Sequence, residues 1–252
     1  MNDLQRTEEW YLDRRGKVTA SEIYLLLADH KEPMTEDELA AWKTENPKSR
    51  VTTKSVPFSE GTFTYLDKKV AEMYMPDDGF LMYMETQGGG NAATRWGTDL
   101  EDDARRRYVR ETGAEVLDAP FVHLADFDRF AGGSPDGIVR DGGLIEIKCP
   151  YNPAVHVSHY LMESGGDLKE LNLQYYCQCQ FNMMCMESQG VACDFCDFIS
   201  YDPRVSADKQ IKILRIHKDE EMQRKLMERT RLAILYFKGK MEMIDNVKPT
   251  IQ

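Results

Sequence analysis

The chain has 252 residues, a formal net charge of −11 and a hydrophobic fraction of 42%. That length and apolar content suit one large domain, expected over 1–252, and the acidity argues against a protein that coats nucleic acid by bulk attraction, although a cleft can still be locally basic. No apolar run reaches membrane-spanning length and the N-terminus is polar without a signal-peptide pattern, so a cytoplasmic protein with no membrane partner is expected.

Residues 4–14 read as a helix, with Leu4, Trp10, Tyr11 and Leu12 available for packing. Arg14-Arg15-Gly16-Lys17-Val18-Thr19-Ala20-Ser21-Glu22 follows. Thr19 and Glu22 stand at capping-box spacing, which predicts a helix from Ala20 with Ile23, Leu26 and Leu27 as its apolar stripe. A helix N-terminus with Ser21 in its first turn and two arginines just before it would make an anion site; equally, Arg14 and Arg15 would decorate a helix entry.

Residues 30–60 are polar and read as an inserted surface segment. Thr35 and Glu38 form a second capping box, so a short helix through Trp42 is expected, with a long loop from there to about Glu60. A helix from Thr62 to Met75 carries Phe63, Leu66, Val70 and Met73; Pro76-Asp77-Asp78-Gly79 ends it, and Gly88-Gly89-Gly90 reads as a flexible loop. Leu100, Ala104 and Tyr108 recur at helical spacing after Trp96-Gly97, and that helix should end near Gly113. Two readings stand for Glu101: a capping box with Thr98, or an additional acidic group that projects towards the hairpin at 132–148. Arg105-Arg106-Arg107 reads as a surface face.

Gly132 to Lys148 is the stretch richest in chemistry. Asp141-Gly142-Gly143 supplies the positive φ of a tight hairpin, between a strand ending at Ile138-Val139 and one running from Leu144 to Lys148. Alternation sends Ile145 and Ile147 to one face, and Glu146 and Lys148 to the other, close to Asp136. Two carboxylates and an ammonium at one hairpin fit metal-assisted phosphodiester chemistry. Hard carboxylate oxygens bind Mg²⁺, and a lysine holds or deprotonates the metal-activated water. The alternative is a solvated strand face with a same-side ion pair.

Beyond Pro150, a helix over 155–162 is expected to cover the hairpin, and a helix over 171–186 to bury Leu173, Tyr176, Phe181 and Met184. Gln178 and Gln180 interrupt it, as satisfied core amides or as holders of a phosphate or water. Strands are expected at 191–199 and 211–216, then a C-terminal helix and tail over 219–252. The six cysteines read as reduced structural thiols, because Cys193-x-x-Cys196 has no second ligand pair to complete a metal site.

Five stretches in this order resemble the phage lambda exonuclease family, the viral recombinase branch of the PD-(D/E)xK nucleases. They are Arg14 to Ser21; Trp96-Gly97 with Glu101 to Arg105; Ser134 to Gly137 with Leu144 to Pro150; Gln178-Cys179-Gln180; and Tyr201-Asp202-Pro203-Arg204. The resemblance implies an α/β (α+β) restriction-endonuclease-like core with a central mixed sheet flanked by helices. It implies Mg²⁺ (two ions, with Mn²⁺ the alternative) on Asp136, Glu146 and the Ile147 carbonyl, Lys148 activating water, Glu101 as an extra acid and Gln180 lining the site. Ser21 and Ser134 would touch phosphates and Arg14 would receive the 5′-phosphate, with Arg15 its rival. It further implies a phage or prophage enzyme of the bacterial cytoplasm: a homotrimeric ring on double-stranded DNA ends, degrading from the 5′ end and handing the 3′ overhang to a single-strand annealing protein. The apolar wedge expected just ahead of Trp96-Gly97 is missing, and Phe80 to Met84 is a substitute. The competing readings are an endonuclease on the same fold, an iron–sulfur nuclease, and a non-catalytic DNA-end-binding module.

Overall fold

The computed structural model describes residues 4–87, 92–127 and 129–247; the Gly88-Gly89-Gly90 loop expectation lies outside them. In chain order come α1 (Glu8–Arg14), β1 (Val18–Thr19), a 3-10 turn (Ile23–Leu27), β2 (Asp29–Pro33), α2 (Glu36–Glu45), β3 (Thr53–Pro57), α3 (Glu60–Met73), α4 (Asp77–Gln87) and α5 (Ala92–Thr112). Then follow β4 (Val116–Leu117), β5 (Val122–His123), β6 (Ala131–Gly133), β7 (Gly137–Val139), β8 (Gly143–Lys148), α6 (Pro153–Tyr160), α7 (Gly165–Leu171), α8 (Leu173–Ser188), β9 (Phe195–Tyr201), β10 (Ile211–His217) and α9 (Glu220–Asn246). This is the mixed α/β class expected.

The five-stranded sheet runs β10-β9-β8-β7-β4, with β8 at its centre. β7 and β8 form the expected hairpin, Val139 opposite Gly143, with Gly142 at φ +88°. β8 pairs with β9 in parallel, Lys148 beside Ser200. Parallel neighbours need a long crossover, and α6, α7 and α8 form it. Alternation along β8 splits two apolar layers. Leu144 faces a core with α8, α9 and the 3-10 turn, whereas Ile145 and Ile147 face Ala104 and Tyr108 of α5. Both faces are therefore covered, and Glu146 lies 1% exposed. The solvated-face alternative does not describe this strand.

A smaller sheet, β1-β6-β5, carries the N-terminal segment to the hairpin: Val18 and Thr19 pair in parallel with Ala131 and Gly132. That pairing overrides the helix expected from Ala20. Val18 and Ala20 donate their N–H groups to Phe130 and Gly132, and Glu22 meets Lys69 at 3.2 Å. Glu22 does bond Thr19 Oγ1, side chain to side chain at 3.0 Å, but caps nothing. The helix-terminus anion site therefore does not form.

The expected loop before Glu60 is a two-stranded ribbon, Asp29–Pro33 against Thr53–Pro57, bracketing α2 with its capping box intact. Neither strand alternates in hydrophobicity, which hid them. Helix α5 begins at Ala92, so Thr98 lies inside it and caps nothing. Phe80 to Met84 lies within α4, with Phe80 2% exposed. Helix α6 packs on β9 and β10 rather than over the hairpin's open end; its His156 and His159 both hydrogen-bond Ser200 Oγ. Leu173, expected inside, is 39% exposed. Helix α9, capped by Asp219, buries Met222, Leu226, Ala233, Ile234 and Phe237 in the core with α3 and α8. All six cysteines are buried free thiols. Among the described residues no helix is long and apolar enough to cross a membrane.

Candidate active site

The open end of the β7–β8 hairpin forms the floor of a cavity of about 340 Å³. Asp136 sits just before β7, where its backbone N–H donates to Ile145 and its Oδ2 accepts the Ile147 N–H at 2.6 Å. Glu146 leans towards α8. Its Oε1 accepts Lys148 Nζ at 2.6 Å and its Oε2 accepts Asn182 Nδ2 at 3.1 Å. Lys148 Nζ also donates to Gln178 Oε1 at 3.2 Å and lies 4.8 Å from the centre of the Tyr175 ring. Glu101 enters from α5 and is ion-paired with Arg6. Of its two readings the structure takes the second.

Burial pushes the Asp136 carboxyl well above the usual carboxylate range, and the charges of Glu146 and Glu101 push it further. Burial likewise raises Glu146, against the opposing pull of Lys148. Burial works against the Lys148 ammonium, but Glu146 and Asp136 outweigh it and hold the proton more firmly than on a free lysine. Two crowded carboxylates with one resident cation are short of positive charge.

The opposite wall is the N-terminal segment. Gln5 Nε2 donates to the Pro135 carbonyl at 2.9 Å, and Trp10 Nε1 donates to Ser134 Oγ at 2.9 Å. The Arg14 guanidinium stacks 4.2 Å from the Trp10 ring centre and 5.8 Å from that of Phe121. Burial lowers its pKa, opposed by Glu22. Among the described residues its side chain makes no hydrogen bond or ion pair, yet it faces the cavity. Arg15 turns away to Asp77 (2.6 Å) and the Met75 carbonyl (3.2 Å). Ser21, Ser134 and Ile147 also line the cavity.

The structure thus gathers Arg14, Ser21, Glu101, Ser134, Asp136, Glu146, Ile147 and Lys148 around one space. It does not bring Arg15 or Gln180 there. Gln180 Nε2 donates to the His217 carbonyl at 2.8 Å, and its Oε1 accepts the Asp219 N–H at 3.0 Å. It is a satisfied core amide. Two residues along a helix means about 200° of rotation, so Gln178 faces the cavity while Gln180 faces α9. Arg6, Trp10, Tyr175 and Asn182 also escaped the sequence reading. For Asn182 a signal existed: a polar residue four positions after Gln178, hence on the same helix face. Arg105, Arg106 and Arg107 pair with Asp118, Asp103 and Glu111, but only Arg106 is on the surface; Arg105 and Arg107 are half-buried and also bond the Val116 and Ala207 carbonyls.

Among the described residues, no three histidine, cysteine or acidic side chains converge as a ready-made metal cage. Each carboxylate is instead held by a protein donor. The donor set nevertheless suits a hard divalent ion: buried carboxylate oxygens whose mutual repulsion a cation would relieve.

The profile of the YqaJ-like viral recombinase domain matches residues 9–189. The chain belongs to that family. The matched span contains every cavity residue named above except Gln5 and Arg6. No curated protein matches the sequence. Among solved structures, an alkaline exonuclease from Laribacter hongkongensis is 27% identical at a TM-score of 0.66, over 95% of this chain and 96% of that one. Its complex with dAMP gives 27% and 0.65, over 94% and 96%. A phage-related exonuclease from Haemophilus somnus shares the fold at 17% identity and a TM-score of 0.58, over 90% and 96%. The family and these folds agree with the PD-(D/E)xK-type core.

Proposed function

We propose that the chain is a metal-dependent DNA exonuclease, which trims one strand of linear duplex DNA from its 5′ end to mononucleotides and leaves a 3′ overhang for recombination by single-strand annealing. Its nuclease character rests on the family and on the likeness to an alkaline exonuclease. One observation carries the finer reading: Asp136, Glu146 and Lys148 line the same cavity as the guanidinium of Arg14, which among the described residues makes no hydrogen bond or ion pair. A cutting centre and a phosphate receptor sharing one space measure off a fixed distance from a strand end. The dAMP bound by the Laribacter enzyme is the size of one such product.

Asp136 and Glu146 would hold the divalent cation, Mg²⁺ by the hardness of the donors, with the Ile147 carbonyl as a further ligand. Glu101 would join a second ion by releasing Arg6. The bound cation supplies Lewis-acid polarisation of the phosphate and a more acidic attacking water. Lys148 is charged in the protein as it stands, so it orients water and stabilises charge on the phosphate by hydrogen bonding; it could act as a base only after its carboxylate partners were neutralised and it had released its own proton to solvent. Gln178 fixes the ammonium's direction. Arg14 receives the terminal 5′-phosphate through charge-assisted hydrogen bonds, while Trp10 and Phe121 keep its plane fixed. Ser21 and Ser134 offer hydroxyls to neighbouring phosphates. A ring of three copies would hold DNA by topology, which a chain of net charge −11 needs more than a basic one does. An annealing protein would take the overhang, in the cytoplasm of a phage- or prophage-bearing bacterium.

The test is digestion of linear duplex carrying a label and a 5′-phosphate on one strand, beside a closed circle, with and without Mg²⁺. The expected result is Mg²⁺-dependent loss of the phosphorylated strand to mononucleotides with the circle intact. Cutting of the circle would make the protein an endonuclease and remove the end-measuring role of Arg14.

A further inference from the structure

Asn182 is fully buried on α8, one turn beyond Gln178. Its Nδ2 donates to Glu146 Oε2 at 3.1 Å, and among the described residues its Oδ1 has no hydrogen-bond partner. The chain makes room for this amide at a specific place. A Cβ on Gly133 of β6 would lie 2.2 Å from Asn182 Oδ1, so that strand carries glycine where the amide comes closest. A leucine, with the same branched outline, would occupy the place without stranding an acceptor. An amide kept here at the cost of an unpaired oxygen is there for its other end.

That other end meets Glu146 in a particular way. Lys148 occupies one lone pair of Oε1 and Asn182 one lone pair of Oε2, so the carboxylate is pinned at both oxygens and keeps one free lone pair on each. A second cation in place of Asn182 would also pin it, but would cancel the negative charge that draws a divalent ion. A neutral donor orients without neutralising. Helix α8 thus sets both halves of the pair, Gln178 on Lys148 and Asn182 on Glu146.

We propose that Asn182 is a positioning residue: it locks the rotation of the Glu146 carboxylate and so sets the affinity of the cavity for a divalent cation. This rests on the metal-dependent nuclease reading, and the experiment separates the two. Mn²⁺ binding to DNA-free protein is measured by calorimetry and electron paramagnetic resonance, alongside urea unfolding in EDTA and steady-state digestion of linear duplex. Asn182→Leu loses both the orphaned oxygen and the donor to buried Glu146, two opposed effects, and is expected to remain folded in EDTA. Its Mn²⁺ affinity should fall by about 10- to 100-fold, the range for partners that orient metal ligands, and kcat should fall while KM for DNA ends holds. A folded Leu variant with wild-type Mn²⁺ affinity overturns the proposal. Should that variant not fold, Asn182→Ala decides by the same reading of affinity. Wild-type protein that binds no Mn²⁺ and leaves linear duplex intact defeats the nuclease reading, and the role of Asn182 with it; wild-type binding beside an unaffected variant defeats only the role of Asn182.

Discussion

Asp219 is the junction where Gln180, α7, α8 and α9 meet, and its replacement gives a worked test of the fold. Its Oδ1 accepts the Met222 N–H at 2.9 Å and caps α9, while its Oδ2 accepts Lys169 Nζ at 2.8 Å and Tyr176 OH at 2.9 Å. Burial pushes the carboxyl up, but Lys169, the cap and Tyr176 outweigh it and bring the pKa down to about 2. Against an unfolded value of about 3.9, that corresponds to roughly 2.5 kcal/mol of stability at neutral pH. The side chain is 23% exposed, so solvent screening trims this to about 2 kcal/mol. Asp219→Asn keeps the capping oxygen and loses the charge, and should unfold in urea with about 2 kcal/mol less stability at pH 7. Because the folded pKa is depressed, the contribution is complete above about pH 4 and disappears as pH falls towards about 2; at pH 3 about half remains. The gap between wild type and variant should narrow accordingly. Equal midpoints at pH 7, or a gap as wide at pH 3 as at pH 7, would refute the assignment of Asp219.

Asp136→Asn should reduce digestion of linear duplex by about 10³-fold, the equivalent of the several kcal/mol a Lewis acid supplies. The same change should raise the melting temperature in EDTA, because it removes a buried charge beside Glu146 and Glu101; a lower melting point would contradict the crowding described here. Arg14→Ala should shrink the preference for 5′-phosphoryl over 5′-hydroxyl ends by about 10- to 100-fold, as the loss of a charge-assisted hydrogen bond predicts. The ratio of initial rates on the two ends reads it, and an unchanged ratio removes Arg14 from the receptor. Gly143→Ala should cost about 1–3 kcal/mol by overpacking, since its Cβ would fall 2.2 Å from the Phe195 ring. That ring is held by Arg215 at 3.6 Å, so an unshifted urea midpoint would show that the ring is freer than this contact implies.

The hairpin was legible because its instructions are local. Asp141-Gly142-Gly143 encodes the turn, and strand alternation puts Glu146 and Lys148 on one side whatever the rest of the chain does. Elements whose partners lie far away were harder to read. Thr19 and Glu22 have the spacing of a cap, but pairing with Ala131 and Gly132 and the pull of Lys69 decide their structure. The ribbon strands Asp29–Pro33 and Thr53–Pro57 half-bury mostly polar residues such as His30, Glu32 and Lys54, so no hydrophobic periodicity marks them. The phase of α8 is set by its packing on β8 and α9, and in the sequence only the polar Asn182, four positions on, favours Gln178 over Gln180. Arg6 reaches Glu101 across 95 positions, a distance at which spacing carries no information.

The place of β8 between a near neighbour and a distant one determines when the cavity comes into being. Asp136, Glu146 and Lys148 emerge from synthesis together on the hairpin, but Gln178 and Asn182 follow on the crossover, and β9, which closes the other side of β8, ends at Tyr201. Non-local closure of this kind is a late step in folding. A nascent chain therefore displays its acidic residues long before it can aim them. Chains halted ahead of Phe195 are expected to bind no Mn²⁺ in pull-down from stalled ribosomes, whereas full-length nascent chains do. On this reading unfinished copies would not cut, and the danger of the activity would be confined to finished molecules.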